Sequence, residues 1–269
     1  LQLIHEIAKT FPNVQLHPFV TGSGSRSVAP LINAHYVQEV NAVSYAVEKL
    51  HPETGAVIEL GGQDAKVIIW KEDELGRKST LSFMNDKCAG GTGATIDKIL
   101  GKIGVSNELA QEISFAGKSI HPIAAKCGVF AETDVVGLLK SGVDREEIVV
   151  SLCNAIAKQN LEVLVKGNVL RDNVLLLGGP HRFLPVFTDI WHMHIPQTWK
   201  QHGFVPRDAD LSELIKVPDD AEYFAAQGCV LLGMDDLVMK GFDLEKLNES
   251  DDIPTFTDSN LLEHYLLEG

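Results

Sequence analysis

Two short apolar strands in this chain each end on a glycine pair. Val57-Ile58-Glu59-Leu60 breaks at Gly61-Gly62, and Val174-Leu175-Leu176-Leu177 breaks at Gly178-Gly179-Pro180, about 117 residues further on. Glycine directly after a buried strand lets backbone approach a neighbour or a ligand more closely than any Cβ would permit. After the first break, Val67 to Trp70 runs back and Thr80 to Met84 forms a third strand, so residues 57–84 read as an antiparallel meander with a polar, glycine-bearing hairpin at one tip. Helical patterns near 94–103, 107–116 and 145–166 then separate this meander from the second strand. The combination is α/β: one sheet, helices around it, and two glycine turns that must be brought to the same place or left as ordinary strand ends.

The residues around the first turn favour a ligand. Glycine already supplies the geometry of the tip, so an acid there, Asp64, is unusual for a mere turn residue. If both turns face one cleft, one holds phosphates and the other a nucleoside. Asp64 would then orient Mg²⁺ through water, or position an attacking water, and Lys66 would offset phosphate charge.

Cysteine placement adds a second chemistry. The run Met84-Asn85-Asp86-Lys87-Cys88-Ala89-Gly90-Gly91-Thr92-Gly93 sets a thiol just before a glycine turn that opens an amphipathic helix. Such a turn also presents N–H groups to anions, but starting the helix that follows the thiol is its better role here. Ala124-Ala125-Lys126-Cys127-Gly128 repeats the pattern: Lys, Cys, a small residue, then a helix. A helix N-terminus and a preceding lysine both favour thiolate. Two cysteines are too few for a four-cysteine cluster, and a twofold dimer would supply the other two. A redox thiol pair and two inert thiols are the competing readings. Cys153 and Cys229 fall on helix faces and read as core. His192 and His194, with His181 and His202, offer imidazoles to zinc, but no Cys or acid completes the set at a familiar spacing.

The rest of the chain reads as follows. Leu1 to Lys9 is helix-like, and Val14 to Phe19 alternates like a short strand. Thr21-Gly22-Ser23-Gly24-Ser25-Arg26 is a glycine loop. Val37, Val40, Val43, Val47 and Leu50 share one face of a predicted helix over 31–50. Asp144 and Glu147 have capping-box spacing ahead of the long helix, whose apolar face is Ile148, Val149, Leu152, Ile156 and Val163. Residues 183–215 have no clear period. Ala221 to Gly233 is a small-residue helix with Gly228 suited to close packing, and a helix is expected over Asn260–Leu267 in the acidic tail.

Charge and composition exclude several classes. With 37 acidic against 23 basic residues, net charge −14, the chain offers no surface for nucleic acid or anionic membrane. No apolar run reaches the ~20 residues of a membrane span. Four scattered cysteines do not make a disulfide framework, so a reducing, cytoplasmic compartment is expected. The chain begins inside a helical pattern without methionine, as a fragment of a longer protein would.

Taken together, Glu59-Leu60-Gly61-Gly62-Gln63-Asp64-Ala65-Lys66, the Met84–Gly93 run, Cys127-Gly128-Val129-Phe130-Ala131-Glu132, Gly178-Gly179-Pro180 and Ala221-Glu222-Tyr223-Phe224-Ala225-Ala226-Gln227-Gly228 resemble the ATPase activators of 2-hydroxyacyl-CoA dehydratases and the related benzoyl-CoA reductase subunits, the BadF/BadG/BcrA/BcrD type. The resemblance covers roughly residues 14–234. The run from Gly179 through Phe183 and Trp191 is closest in character to long, multi-domain CoA-substrate-specific enzyme activases.

The resemblance implies an actin-like ATPase (ribonuclease H-like) fold with its N-terminal half incomplete: residues 1–55 as the remainder of a first half-domain, 56–235 as the second, and 236–269 as an acidic extension. It implies Asp64, Glu59 and Gln63 as catalytic residues. Gly61, Gly62, Lys66, Gly178, Gly179 and Pro180 would bind ATP or ADP with Mg²⁺. It also implies a homodimer sharing one [4Fe–4S] cluster held by Cys88 and Cys127 of each chain. A single low-potential electron would arrive from a donor such as ferredoxin or flavodoxin and pass to a CoA-ester dehydratase or reductase. The family's first phosphate hairpin, of Gly-x-Asp-x-Gly-Ser-Thr type, is absent from this sequence, and Glu59 stands where actin-like ATPases often carry Asp. A cluster-free small-molecule kinase of the same fold, and a non-catalytic dimerisation or docking module, are the alternatives.

Overall fold

The computed structural model describes residues 2–12, 17–72, 78–85, 91–124, 128–165, 167–208 and 210–239. By contact, the chain divides into two compact units, one drawn from Leu1–Lys49 and Ala225–Gly269, the other Leu50–Phe224.

In the first unit, α1 (Gln2–Thr10) precedes a short parallel pair, β1 (Phe19–Val20) and β2 (His35–Tyr36), with Phe19 opposite His35. Between them come α2 (Ser25–Val28), which starts after a left-handed Gly24, and a 3-10 turn at Ala29–Ile32. The helix α3 is Glu39–Leu50, shorter than the valine spacing predicts. Pro30 opens the 3-10 turn and Asn33 stops it in the left-handed region (φ 48), so the chain bends into β2 before α3 can start.

The second unit is built on one sheet. Its strands are β3 (Ala56–Leu60), β4 (Ala65–Glu72), β5 (Lys78–Asn85), β6 (Val174–Leu177) and β7 (Ile215–Lys216), in the order β5-β4-β3-β6-β7. The predicted meander is β3-β4-β5, antiparallel throughout. β3 and β6 pair in parallel with Glu59 opposite Leu177, so both strands end at the same edge of the sheet. That register brings the two glycine turns together, at the carboxyl ends of parallel strands where open α/β sheets bind ligands. All five residues of β3 and all four of β6 are buried, as central strands covered on both faces require.

Between the strands lie α4 (Gly93–Ile103), α5 (Asn107–Glu112), α6 (Gly128–Lys140) and α7 (Arg145–Leu164), and after β6 come α8 (Gly179–Phe183), α9 (Val186–Gln201) and α10 (Leu211–Leu214). The face expected of α7 is in the core: Ile148, Val149, Leu152 and Ile156 are fully buried, each contributing about 1.5–3 kcal/mol. Its start is half of a capping box. Asp144 Oδ1 accepts from the Glu146 N–H, but the Glu147 carboxylate instead accepts from the Ser119 N–H and pairs with His121. α9 carries Phe187, Ile190, Trp191, Ile195 and Trp199, all buried, and contains Pro196.

Returning to the first unit, α11 (Phe224–Met239) packs backbone to backbone on α3: a Cβ at Gly228 would lie 1.8 Å from the Ala42 carbonyl oxygen. Among the described residues no helix is long and apolar enough to cross a membrane. The strand expected from Val14 overlaps residues outside the described set, and β1 is its described part; the helix expected over Asn260–Leu267 lies wholly outside it.

Candidate functional site

Three backbone segments meet where the glycine turns emerge. Gly178 sits at φ 93, and a Cβ there would fall 2.0 Å from the Leu60 carbonyl oxygen, so only glycine lets β6 turn against the end of β3. The Gly178 N–H donates to Ala221 O. At the hairpin tip, Gly61 N–H donates to Asp64 O, and a Cβ on Gly61 would lie 2.6 Å from Asp64 Oδ1. The third segment is the first turn of α4. Gly93 N–H donates to Gly61 O at 2.9 Å, Ala94 N–H to Gly62 O at 2.8 Å, and the Thr92 hydroxyl also reaches Gly62 O. An ideal Cβ on Gly93 would lie 3.2 Å from both Gly61 O and Pro180 Cγ. Gly93 and Ala94 at the start of α4 therefore spend their N–H groups on the hairpin.

The charged residues of the hairpin form a buried trio. Glu59 and Lys66 are opposite each other across the β3–β4 ladder. Lys66 Nζ lies 2.9 Å from Asp64 Oδ1 and 3.5 Å from Glu59 Oε2. Lys66 is completely buried, with its ammonium against the two carboxylates beneath the tip. Gln63 and Gly62 are exposed at the tip itself.

A groove of about 460 Å³ opens above this junction. Gly62, Gly93, Gly179 and Pro180 form one end. Ile96, Asp97 and Leu100 of α4 form a wall, Phe183 and Leu184 face the groove from α8 and the residue after it, and Asn107 and Gln111 of α5 complete the lining. Its size suits a nucleotide-sized ligand. Gly61, Gly178, Asp64 and Glu59 lie at or under its glycine end. Sequence reasoning missed Asp97, Asn107 and Gln111: polar positions on amphipathic helices read as solvent faces, and no local motif marks a wall assembled from separate helices.

The histidines do not gather. His181 is buried, with Nδ1 2.7 Å from Leu177 O and Nε2 accepting from Trp191 Nε1 at 2.8 Å. His192 meets Ile215 O, His194 meets Asn154 Oδ1, and His202 meets Thr198 O. No group of three His, Cys, Asp or Glu able to hold a metal occurs among the described residues, so the zinc reading of these imidazoles is withdrawn. His181 instead braces the β6–α8 turn as a neutral ring. Burial depresses its pKa to about 4. Below pH ~6.5 the unfolded chain takes up a proton that the folded ring refuses until about pH 4, so stability falls with acidification across that window, by about 3 kcal/mol in all. Urea titrations at pH 6.5 and 4.5 should show this slope, and His181→Gln should flatten it; an equal pH slope in both proteins would remove His181 as its source.

Cys88 and Cys127 lie outside the described residues. The helices that follow them are described, and they are joined. Glu132 of α6 pairs with Lys98, at 2.7 Å, and with Lys102, both on α4. These lysines hold the Glu132 carboxyl at about 2. Cys153 and Cys229 are buried, as expected of core thiols, and burial raises both.

Comparison with known proteins gives the same picture. Over 147 residues the chain is 37% identical to a 2-hydroxyisocaproyl-CoA dehydratase activator of Clostridioides difficile, covering 54% of this chain and 53% of that protein. It is 31% identical to the activator of lactoyl-CoA dehydratase of Anaerotignum propionicum, covering 53% and 54%. The chain thus spans about half the length of these curated relatives. Its fold superposes with a TM-score of 0.64 on the Clostridium difficile activator of 2-hydroxyisocaproyl-CoA dehydratase with bound ADPNP, at 28% identity and over 88% of this chain and 78% of that one. This is the actin-like ATPase fold that the motifs imply. The family model for BadF/BadG/BcrA/BcrD ATPases matches residues 13–211, about three quarters of the chain, and the chain belongs to that family.

Proposed function

We propose that this chain is the nucleotide- and cluster-bearing core of an ATP-dependent activator that passes a low-potential electron to a CoA-ester dehydratase or reductase. One observation carries the nucleotide half of this reading. In an ATPase family member, the hairpin tip, the β6–α8 turn and the start of α4 converge on one groove of nucleotide size.

The residues fit the ligand. Glycine backbone at Gly62 and Gly179 would lie against the phosphates, where side chains would obstruct them. Asp64 and Glu59 would hold a hydrated Mg²⁺, and Gln63 at the exposed tip would orient water. Asp97 would accept from the ribose hydroxyls, while Phe183 would cover the base. A kinase of the same fold would need a further acid aimed at an acceptor hydroxyl, and among the described residues Asp97 is the one carboxylate that lines the groove.

For the cluster, the donor set is two thiolates per chain, each leading into a helix start, and two chains give the four that a [4Fe–4S] centre takes. Such a centre supplies one-electron transfer at low potential. Cys88 and Cys127 of each copy would hold it, and Glu132 with Lys98 and Lys102 would keep α4 and α6 together beneath it. Ferredoxin or flavodoxin chemistry would provide the electron, in the reducing cytoplasm. Anaerobically prepared protein should be a brown dimer with about four iron per two chains. Cys88→Ala and Cys127→Ala should each abolish the iron while leaving ADP binding intact. Colourless, iron-free parent protein after anaerobic reconstitution would sink the cluster half.

A further inference from the structure

The geometry points to Thr92 as a positioning residue of the hairpin that would hold phosphate, acting through the carbonyl of Gly62. This rests on the reading of the groove as a nucleotide site and adds to it a buried residue that reaches the ligand only through backbone.

Thr92 stands at the N-cap of α4, where a threonine hydroxyl ordinarily accepts from an N–H of its own first turn. Here it caps nothing. No hydrogen bond runs from that turn to its side chain, and the hydroxyl donates instead to Gly62 O at 3.2 Å. The side chain is completely buried and does not line the groove. The residue before it is gripped from another side. Asn160 of α7, 2% exposed, donates from Nδ2 to Gly91 O at 3.2 Å and to Ile156 O of its own helix at 3.0 Å. A Cβ on Gly91 would lie 3.3 Å from that nitrogen, so the turn rests directly on the carboxamide. Gly91 is thereby fixed to α7, and Thr92, next in the chain, bonds to the hairpin from a fixed base.

What that bond controls follows from the planarity of the peptide. None of the described peptide bonds is cis, and in a trans peptide the C=O and N–H point in opposite directions. Gly61 O accepts from the Gly93 N–H, and Gly62 O accepts from both the Ala94 N–H and the Thr92 hydroxyl. The Gly62 N–H shares a plane with Gly61 O, and the Gln63 N–H shares one with Gly62 O. Both N–H groups are therefore turned away from the start of α4. Neither has a backbone acceptor among the described residues, and both residues are exposed. Consecutive free N–H groups in a turn are what an anionic oxygen binds. A single donor leaves a carbonyl a broad range of directions. The second donor to Gly62 O, from Thr92, narrows that range and with it the aim of the Gln63 N–H.

The test titrates the full chain calorimetrically with ADP in Mg²⁺ and with adenosine, well below the melting midpoint. Thr92→Val keeps the shape and removes the hydroxyl, while Thr92→Ser keeps the hydroxyl. Because the hydroxyl caps no helix, the unliganded midpoint of Thr92→Val should stay within about 4 °C of the parent's. Its affinity for ADP should fall about tenfold, with adenosine, which has no phosphates, bound as by the parent. Thr92→Ser should bind ADP within about twofold of the parent. Should Thr92→Val not fold, Thr92→Ala, which also lacks the hydroxyl and adds no bulk, carries the same comparison. ADP binding within twofold of the parent in the hydroxyl-free variant overturns the assignment. So does an equal loss in Thr92→Ser, or a loss as large for adenosine as for ADP; all three leave the groove a nucleotide site. Absence of ADP binding by the parent at millimolar concentration overturns the assignment together with the nucleotide reading beneath it.

Discussion

Gly178→Ala should leave the second unit largely unfolded at 37 °C. The added Cβ would lie 2.0 Å from the carbonyl oxygen of Leu60, which is itself in a fully buried strand, and φ at this residue is 93. Two penalties add. Alanine in this region of φ is strained by about 1 kcal/mol or more, and the overlap with backbone requires β3 and β6 to separate where their register is fixed by Glu59 opposite Leu177. A combined loss of about 4 kcal/mol or more consumes much of the 5–15 kcal/mol of an ordinary domain. Circular-dichroism melting reads this directly. A midpoint within about 3 °C of the parent, the shift that about 1 kcal/mol produces in a unit of this size, would mean that the two strand ends are not pressed together as described.

Lys66→Met should cost about 3–5 kcal/mol, for an electrostatic reason. The substitution keeps the volume and apolar stem but removes the cation shared by Asp64 and Glu59, both buried. Urea unfolding at pH 7.5 reads the loss directly. A Lys66→Met protein that is as stable as the parent at pH 7.5 would show that the trio is not electrostatically coupled.

Much of the sheet was readable because glycine and β-branched residues punctuate it. The β3–β4–β5 meander, β6 and both turns follow from short apolar runs ending at glycine, and the parallel β3–β6 pairing then fixes where the turns meet. The first unit was less readable. The valines at 37, 40, 43 and 47 share a helical spacing, but β-branched residues carry no signal for where a helix begins. The stop came from Asn33 in a left-handed conformation instead. α9 was hidden for the opposite reason: it is apolar over a wide arc, with Trp191 and Trp199 buried and Pro196 inside, so no amphipathic period shows. At the site, the parallel pairing brings the two glycine turns together, and the burial of Lys66 depends on the ladder pairing it with Glu59. Asn107 and Gln111 carry no motif at all, since only the fold places them on the groove.

The bonds from Gly93 and Ala94 to the hairpin carbonyls tie the start of α4 to the hairpin tip. Its leading N–H groups have no other described acceptor, so shifting Gly61 and Gly62 without α4 would strand two donors, at about 1–3 kcal/mol each. The helix follows the loop at less expense than it parts from it. Glu132 joins the same helix to α6 through Lys98 and Lys102. Gly93, tied to the hairpin, stands five residues from Cys88 in the chain, and α6 opens at Gly128, directly after Cys127.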